Sequence, residues 1–351
     1  MQCMQQLLNV ECTRRVGDIE MRAVVIPEPL KAGVENIDLP VPDGNEVLIK
    51  VMASGVCGTD VHIYRGEYLG DYPVVPGHEF SGTVDSVGSA VTRFKPGDRV
   101  AVEPNIACDN CEFCLTNRHN FCANWSAVGV TLPGGMAQYV KVPEKAVFHI
   151  DSLSFIEAAF VEPLSCVIHG VKKLDFQPGW NAAVVGAGPI GILLLQCLKH
   201  LGAASVSVVD RNRSRADSAA AFGADRICYD INDLKQDGYD AVIDATGVTA
   251  ITGRLIEFAG PGRSILLFGV PNQQATVSME AFTIFRKGLR IVSSYTSERN
   301  SYQAIELLKS GNVQVRELVS HTLSLDEFTY GMKLLTEGDG DVGKVMLLPN
   351  G

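Results

Sequence analysis

Four of the ten cysteines in this 351-residue sequence lie within 15 residues, at Cys108, Cys111, Cys114 and Cys122. Thiolates in a C-x2-C-x2-C-x7-C pattern can point into one tetrahedral cage, and four of them leave no open position for a substrate. The spacing therefore predicts a closed structural zinc site, whose metal contributes to folding of the loop. An iron–sulfur cluster also uses four thiolates, so the pattern alone leaves that alternative open.

A glycine-rich segment predicts a second binding site. Residues 184–191 read VVGAGPIG and carry the G-x-G-x-x-G pattern at Gly186, Gly188 and Gly191. The first glycine permits a tight turn, the second lets backbone approach a pyrophosphate, and the third lets a helix pack closely on the preceding strand. Because a predicted strand precedes the pattern and a predicted helix begins at Pro189, we expect a dinucleotide-binding turn.

Asp210 indicates which dinucleotide binds. It ends the next predicted strand, 19 residues after Gly191. A carboxylate there accepts hydrogen bonds from the adenosine ribose hydroxyls and repels a 2′-phosphate, so the sequence predicts NAD rather than NADP. Arg211, Arg213 and Arg215 follow closely, and one of them could stack on adenine or offset Asp210 enough to admit some NADP.

The elements that must position these sites follow two patterns. Residues 21–151 are rich in short β-branched runs broken by Gly and Pro, such as VLIKVMASG and EFSGTVDSVG, which predict a mainly β region. From about residue 181, buried apolar runs such as AAVVG and SVSVVD alternate with helical segments, which predicts a doubly wound parallel sheet.

The chain is therefore predicted to be an α/β protein of two domains. Its last segment, which ends in the strand KVMLLP, is too short for a third domain and completes the first. We expect a mainly β catalytic domain over residues 1–157 and 293–351, and a Rossmann nucleotide-binding domain over residues 158–292. Residues 1–20 are expected to form a flexible leader.

Composition excludes several classes of function. Hydrophobic residues make up 46% of the chain and charged residues 20%, which is typical of a globular protein. The formal net charge of −10 disfavours nucleic acid or an acidic membrane as the main partner. No apolar stretch is long enough to span a membrane, and the N-terminus lacks the apolar core of a secretory signal. The sequence thus predicts a cytoplasmic protein that binds a small molecule.

Two further segments identify a family. Residues 55–62 read GVCGTDVH and residues 76–82 read PGHEFSG. With the cysteine cluster, GGMAQYV, VEPLSC and GAGPIG, these segments resemble the zinc-containing medium-chain alcohol dehydrogenases, and most closely their polyol branch, typified by sorbitol dehydrogenase. The resemblance runs from about Met21 to the C-terminus and implies a GroES-like fold for the β domain.

The resemblance also implies a second, catalytic zinc. Cys57 and His78 match its ligands, Glu79 matches a carboxylate that takes part in the zinc shell directly or through water, and Glu162 occupies the position of a third ligand in classical members. Such a shell leaves zinc partly open, so that an alcohol oxygen can bind and lose its proton near neutral pH. Thr59 and His62 match positions that relay this proton to solvent.

The cofactor residues follow from the same resemblance. Ile190, Asp210 and Arg215 are expected on NAD, and two short segments are expected to flank its nicotinamide. These segments are Phe268-Gly269-Val270 and Ser293-Ser294-Tyr295.

The substrate is expected to be a polyol or another secondary alcohol, oxidised reversibly to the ketone. Many sorbitol dehydrogenases carry Arg-Tyr where this chain has Ser294-Tyr295, which puts sorbitol itself in doubt. A smaller polyol, a sugar-alcohol phosphate and a simple diol remain open. The alternatives are L-threonine 3-dehydrogenase and, more remotely, a non-catalytic nucleotide-binding regulator. A homodimer or homotetramer is expected by resemblance.

Overall fold

A computed structural model describes residues 19–67, 70–337 and 342–351. The predicted leader lies almost entirely outside the described residues. At its end the prediction is wrong by one residue, because Glu20 already pairs with Asp38 in the first strand.

The strands are numbered here in chain order. They are β1 (Glu20–Glu28), β2 (Lys31–Asp38), β3 (Glu46–Val56), β4 (Glu79–Val87), β5 (Arg99–Val102), β6 (Asn105–Ile106), β7 (Ser126–Ala127), β8 (Tyr139–Pro143), β9 (Val147–His149), β10 (Asn181–Val185), β11 (Ser205–Val209), β12 (Arg226–Cys228), β13 (Tyr239–Asp244), β14 (Ala259–Leu267), β15 (Arg290–Ser293), β16 (Val319–Leu323) and β17 (Lys344–Leu347).

The α-helices are numbered in the same way. They are α1 (Gly58–Arg65), α2 (Glu112–Leu115), α3 (Phe155–Ala159), α4 (Val161–Leu174), α5 (Pro189–His200), α6 (Arg213–Ser218), α7 (Thr249–Thr252), α8 (Leu255–Phe258), α9 (Ala281–Lys287), α10 (Ser301–Lys309) and α11 (Phe328–Glu337). Among the described residues, no helix combines the length and the apolar character that crossing a bilayer requires.

A largely antiparallel sheet of seven strands forms the first layer. Its order is β16-β17-β3-β4-β5-β9, and β8 adds to the other end of β3. The C-terminal strand β17 pairs with β3, as Val345 faces Val56. The last part of the chain therefore completes this sheet, as expected from KVMLLP.

A parallel sheet of six strands forms the second layer, in the order β12-β11-β10-β13-β14-β15. In chain order this is 3-2-1-4-5-6, the doubly wound arrangement in which the strand order reverses beside β10. The prediction of an α/β fold with a doubly wound sheet is confirmed. Ser293, which the predicted domain boundary assigns to the catalytic domain, is the last residue of β15.

Burial explains why these segments form strands and helices. Residues 182–185 are all buried, since helices cover both faces of a parallel sheet. Helix α5 begins with Pro189, whose fixed φ suits the first helical position, and the chain leaves it through Gly202 at φ 87°. One buried apolar cluster contains Ala101 of β5 and Val184 of β10. The two sheets thus share a hydrophobic core.

Candidate active site

The first group of predicted metal ligands sits where β3 ends and β4 begins. These strands are antiparallel, and Gly55 lies opposite Glu79. The chain leaves β3 through Cys57, which precedes the first turn of α1. The pairing of β3 with β4 therefore brings a thiol next to an imidazole and a carboxylate that lie more than 20 residues away in sequence.

Cys57, His78 and Glu79 each offer one donor atom, and these atoms lie within 4.8 Å of one another. We call this set the metal pocket. The buried Asp60 contacts two of its members. Asp60 Oδ2 accepts a hydrogen bond from the Cys57 backbone N–H at 2.8 Å, and Asp60 Oδ1 lies 3.5 Å from His78 Nδ1. Burial disfavours a charged imidazole, but Asp60 and Cys57 outweigh this effect, so the pKa of His78 is raised. A thiol, an imidazole and a carboxylate form a donor set that suits zinc.

Lys344 completes the surroundings of the pocket from the C-terminal strand β17. Its ammonium group forms an ion pair with Glu79 and donates to the Val56 carbonyl at 3.2 Å. The sequence analysis missed this residue, and no local pattern around KVMLLP indicates a role, because the contact depends on β17 pairing with β3.

Glu162 lies in the first turn of α4 and lines the cavity onto which the metal pocket opens, but its carboxylate is not among the donor atoms of the metal pocket that lie within 4.8 Å of one another. Burial, together with repulsion from Glu79 and Glu103, raises its pKa to about 7, although His78 opposes the shift. The Cys166 thiol donates to Glu162 Oε1 at 3.3 Å. The structure thus places Glu162 beside the metal pocket, with Cys166 as its partner.

The two predicted relay residues also line the cavity. Thr59 Oγ1 lies 3.8 Å from the Cys57 sulfur. His62 Nδ1 lies 2.8 Å from Glu67 Oε2, and the His62 side chain is 27% exposed. His62 therefore touches both the cavity and solvent, as a proton exit requires. The sequence analysis missed Glu67.

The cysteine lobe, residues 108–122, brings its four sulfur atoms together. Cys111 Sγ lies 3.5 Å from Cys114 Sγ and 4.0 Å from Cys122 Sγ, and Cys108 Sγ lies 4.0 Å from Cys114 Sγ. A tetrahedron with zinc–sulfur bonds of about 2.3 Å has edges of about 3.8 Å. Backbone N–H groups lower the pKa of Cys108 to about 6, which favours the thiolate. The sulfur spacing fits one zinc ion and is too small for a multinuclear iron–sulfur cluster.

The glycine-rich turn joins β10 to α5 in the form that the sequence predicts. Gly186 has a φ of 107°, and a Cβ on Gly191 would lie 1.8 Å from the Gly186 carbonyl oxygen. Asp210 Oδ2 accepts from the Ala187 backbone N–H at 2.9 Å, which fixes the carboxylate beside the turn. Arg215 lies 3.5 Å from Asp210. Asp210 and Arg215, two of the predicted cofactor residues, therefore lie near the turn that leads into α5.

The arginines that follow Asp210 have separate positions. Arg215 contacts Asp210, whereas the Arg213 guanidinium stacks over the Tyr229 ring at 4.3 Å. Asp210 Oδ1 also accepts from the Asn212 backbone N–H at 2.9 Å. The Asp210 carboxylate is directed at the turn, and the Arg215 guanidinium forms a long ion pair with it at 3.5 Å.

One cavity of about 390 Å³ contacts both the metal pocket and the nucleotide loops. Its lining includes about half of the predicted site residues. Those residues are Cys57, Thr59, His62, His78, Glu79, Glu162, Ile190, Phe268, Gly269, Val270, Ser294 and Tyr295. Ser293 precedes the lining residue Ser294, and the lining does not include Gly186, Gly188, Pro189, Gly191, Asp210 or Arg215.

The cavity also contains residues that the sequence analysis did not select. These are Gly58, Pro104, Asn105, Trp125, Ala127, Val130, Pro163, Cys166, Ala245, Thr246 and Thr296. Thr246 follows β13 and donates to Asp244 at 2.6 Å, so the carboxyl end of a parallel strand was the signal that could have found it. Asn105 and Trp125 had no comparable signal, because they flank the cysteine lobe, in or next to strands of only two residues.

Comparison with known families supports this arrangement. Residues 43–152 match the alcohol dehydrogenase GroES-like domain, and residues 189–310 match the zinc-binding dehydrogenase family.

Several relatives match over most of their length. D-arabinitol dehydrogenase 1 of Uromyces fabae is 35% identical over 321 residues, which cover 88% of this chain and 92% of the relative. Sorbitol dehydrogenase of Bacillus subtilis is 34% identical over 94% of this chain and 98% of its own. L-threonine 3-dehydrogenase of Bacillus velezensis is 33% identical over 94% of this chain and 99% of its own.

Solved structures share the whole architecture. A putative zinc-binding dehydrogenase from Sinorhizobium meliloti 1021, bound to NADP, has a TM-score of 0.90 at 32% identity and covers 94% of this chain and 100% of its own. An alcohol dehydrogenase from Escherichia coli CFT073, complexed with NADH, has a TM-score of 0.87 at 29% identity over 94% and 99% of the two chains. Two dinucleotides therefore occur on closely similar folds.

Proposed function

Because this chain belongs to the zinc-binding alcohol dehydrogenase family, we propose that it oxidises a secondary hydroxyl group of an uncharged polyol, with NAD as the hydride acceptor. One observation carries the proposal. A single cavity of about 390 Å³ is lined on one side by Cys57, His78 and Glu79 and on the other by Phe268, Gly269 and Val270. Substrate and nicotinamide can meet only in such a shared space.

The charge of the cavity favours a polyol over the alternatives. Within the described part of the chain, its lining contains the carboxylates of Glu79 and Glu162 but neither lysine nor arginine. A phosphate group or an amino-acid carboxylate is normally held by such a cation. Hydroxyl groups need only neutral donors and acceptors, and Asn105 and Tyr295 are residues of this kind in the lining. This argues against both a sugar-alcohol phosphate and L-threonine.

Each residue has a task in this reaction. Cys57, His78 and Glu79 would hold the catalytic zinc, with Glu162 beside them, and the four cysteines of the lobe would hold the structural zinc. When bound, zinc supplies Lewis acidity to the reacting hydroxyl and NAD accepts the hydride. Thr59 and His62 carry the released proton towards solvent, and Glu67 orients the His62 ring through Nδ1.

Asp210 sets the preference for NAD. Its carboxylate is fixed beside the Gly186–Gly191 turn by the Ala187 N–H and faces the position of the adenosine ribose. A 2′-phosphate there would meet a negative charge that Arg215, at 3.5 Å, offsets only in part. We therefore expect NAD to be used with a higher kcat/KM than NADP.

A substrate panel tests the proposal. Purified protein is given NAD or NADP with xylitol, D-arabinitol, sorbitol, a sugar-alcohol phosphate, L-threonine or 2-butanol, and NADH absorbance is followed. We expect the uncharged polyols with NAD to give the highest kcat/KM. A higher kcat/KM for L-threonine or for the phosphate would overturn the assignment of substrate. Absence of activity with every alcohol, in protein shown to contain zinc, would overturn the reaction itself.

The predicted homodimer or homotetramer also belongs to this proposal. Strand β15 is at an edge of the parallel sheet, and α9 beside it exposes Phe282 and Phe285 by 72% and 80%. Exposed aromatic pairs of this kind are typical of subunit contacts. Sedimentation equilibrium distinguishes a dimer or tetramer from a monomer, and the double substitution Phe282→Glu and Phe285→Glu, which places two negative charges on this surface, should shift the equilibrium to monomer.

A further inference from the structure

Two cavity residues outside the reaction chemistry are joined to each other. The Trp125 indole Nε1 donates to Asn105 Oδ1 at 3.1 Å, and both side chains line the substrate cavity. Trp125 follows the cysteine lobe by three residues, whereas Asn105 begins β6. The contact therefore links two segments that the sequence separates by 20 residues, and it does so on the wall that a bound substrate would touch.

A buried carboxylate holds Asn105 from the other side. Glu103 is 6% exposed, and its Oε1 accepts from Asn105 Nδ2 at 2.7 Å. The hydroxyl groups of Ser297 and Ser301 donate to Glu103 Oε2 at 2.8 Å and 2.6 Å. The side-chain donors to this carboxylate, Asn105, Ser297 and Ser301, are all neutral, and its hydrogen bonds connect residues 105, 297 and 301.

These partners determine which way the Asn105 amide faces. A carboxylate can only accept and an indole N–H can only donate, so Nδ2 must face Glu103 and Oδ1 must face Trp125. Asn105 Nδ2 also lies 3.4 Å from Ser297 Oγ, on the same side as Glu103. The amide nitrogen is therefore held on the Glu103 side, and Oδ1, which has two lone pairs, retains one beyond its hydrogen bond from Trp125.

A buried asparagine also holds Tyr295, another aromatic residue of the cavity lining. Asn120 is 3% exposed, and its Nδ2 donates to the Tyr295 backbone carbonyl at 3.0 Å. The ring of Phe121 stacks on that of Tyr295 with centroids 6.1 Å apart, and the Trp125 ring lies 6.5 Å from the same ring. Trp125 and Tyr295 thus form a fixed aromatic wall beside the Asn105 acceptor.

We propose that Asn105 is a specificity-determining residue, whose Oδ1 accepts a hydrogen bond from a hydroxyl group of the polyol next to the reacting carbon, and that Glu103 is the positioning residue that orients it. The inference rests on the proposed function. It also explains how a cavity without the arginine of many sorbitol dehydrogenases could select a substrate with several hydroxyl groups.

A pair of substrates tests the role of Asn105. The variant Asn105→Ala should raise KM for the preferred polyol about 3- to 10-fold, the usual value of one neutral hydrogen bond, with kcat nearly unchanged. It should leave kcat/KM for 2-butanol, which has no second hydroxyl group, within about 2-fold. An equal loss for both substrates would mean that the residue acts through general damage, and an unchanged polyol KM would overturn the proposal.

A spectroscopic measurement tests Glu103 without relying on turnover. The chain has two tryptophans, and Trp180 lies apart from the cavity against Phe176, so Trp180→Phe leaves Trp125 as the sole indole. In that background, Glu103→Gln replaces an obligate acceptor by an amide that can face either way. We expect a red-shifted Trp125 emission, easier quenching by acrylamide, and a higher KM for the polyol but not for NAD.

Glu157→Gln is the matched control. Glu157 is also a carboxylate that ties distant segments together, through Arg316 at 2.8 Å, but it lies outside the cavity lining. It should leave both the Trp125 emission and the polyol KM unchanged. If Glu103→Gln behaves like this control, Glu103 does not position Asn105.

The two proposals fail in different ways. If the wild-type protein oxidises polyols but Asn105→Ala keeps the ratio of polyol to 2-butanol activity, only the role of Asn105 is wrong. If the wild-type protein oxidises neither class of alcohol, the proposed function is wrong.

Discussion

The ammonium group of Lys344 and the carboxylate of Glu79 form an ion pair inside the protein, where their side chains are only 8% and 1% exposed. Gly55 lies against the same carboxylate, because a Cβ there would come within 2.4 Å of Glu79 Oε2. Burial opposes a charged lysine, but Glu79 and Cys57 outweigh it, and the pKa of Lys344 is raised. Strand β17 thereby supplies a buried cation to Glu79, one of the three members of the metal pocket.

Removing that cation should be costly. In protein without metal in the metal pocket, Lys344→Met leaves the buried Glu79 carboxylate without its cation, and we expect the free energy of unfolding to fall by about 3–5 kcal/mol, measured by urea denaturation. Lys333→Met is the control, since the Lys333 side chain is 68% exposed and should contribute less than about 0.5 kcal/mol. A similar small effect for both variants would show that Glu79 does not depend on Lys344.

The two predicted zinc sites should separate by mutation. Cys57→Ser should lower the zinc content from about two ions per chain to about one and abolish turnover, with little change in Tm, because the metal pocket is an open site. Cys111→Ser should also remove about one zinc but lower Tm clearly, because a closed site contributes to folding. Elemental analysis and thermal unfolding check both results. Equal Tm values for the two variants would contradict the distinction.

Asp210 should decide the choice of cofactor. In Asp210→Ala the ribose loses a charged acceptor, so KM for NAD should rise about 10- to 100-fold, and the ratio of NADP to NAD activity should increase. Asp217→Asn is the control, since Asp217 lies on α6 and accepts from the Tyr229 hydroxyl instead. An unchanged cofactor ratio in Asp210→Ala would show that discrimination lies elsewhere.

His169 should make stability depend on pH. It is 2% exposed, and burial, with Lys173 and Lys172, lowers its pKa to about 4. An unfolded chain takes up this proton near pH 6.5, so between pH 6.5 and 4 the unfolded state binds more protons and stability falls as the pH falls. Between pH 7 and pH 5, the free energy of unfolding should fall by about 1–2 kcal/mol more in the wild-type protein than in His169→Leu.

Urea denaturation at both pH values measures this difference. The variant is compared with His149→Gln, in which the histidine that is removed is exposed at the surface. The same pH slope in wild type and in His169→Leu would rule out His169 as the source.

Local pattern was sufficient for several features. The strand and helix around VVGAGPIG form as expected, with the helix over Pro189–His200, because proline at its start and the glycines of the turn act within a few residues. The cysteine lobe was equally readable, since its four sulfur atoms come from one short loop.

By itself the sequence determined which chemistry the chain could carry: a closed set of four thiolates, a glycine-rich nucleotide turn, an acid after the second strand of the parallel sheet, and a thiol, imidazole and carboxylates in recognisable segments. Only the tertiary structure decided that Lys344 faces Glu79, that Ser301 donates to Glu103, and that Glu162 stands beside rather than within the close group of metal donors. These relationships join residues that lie up to 265 positions apart and depend on strand pairing and on the packing of two sheets. No short-range periodicity records such contacts, because the free energy that selects them comes from burial in the assembled core.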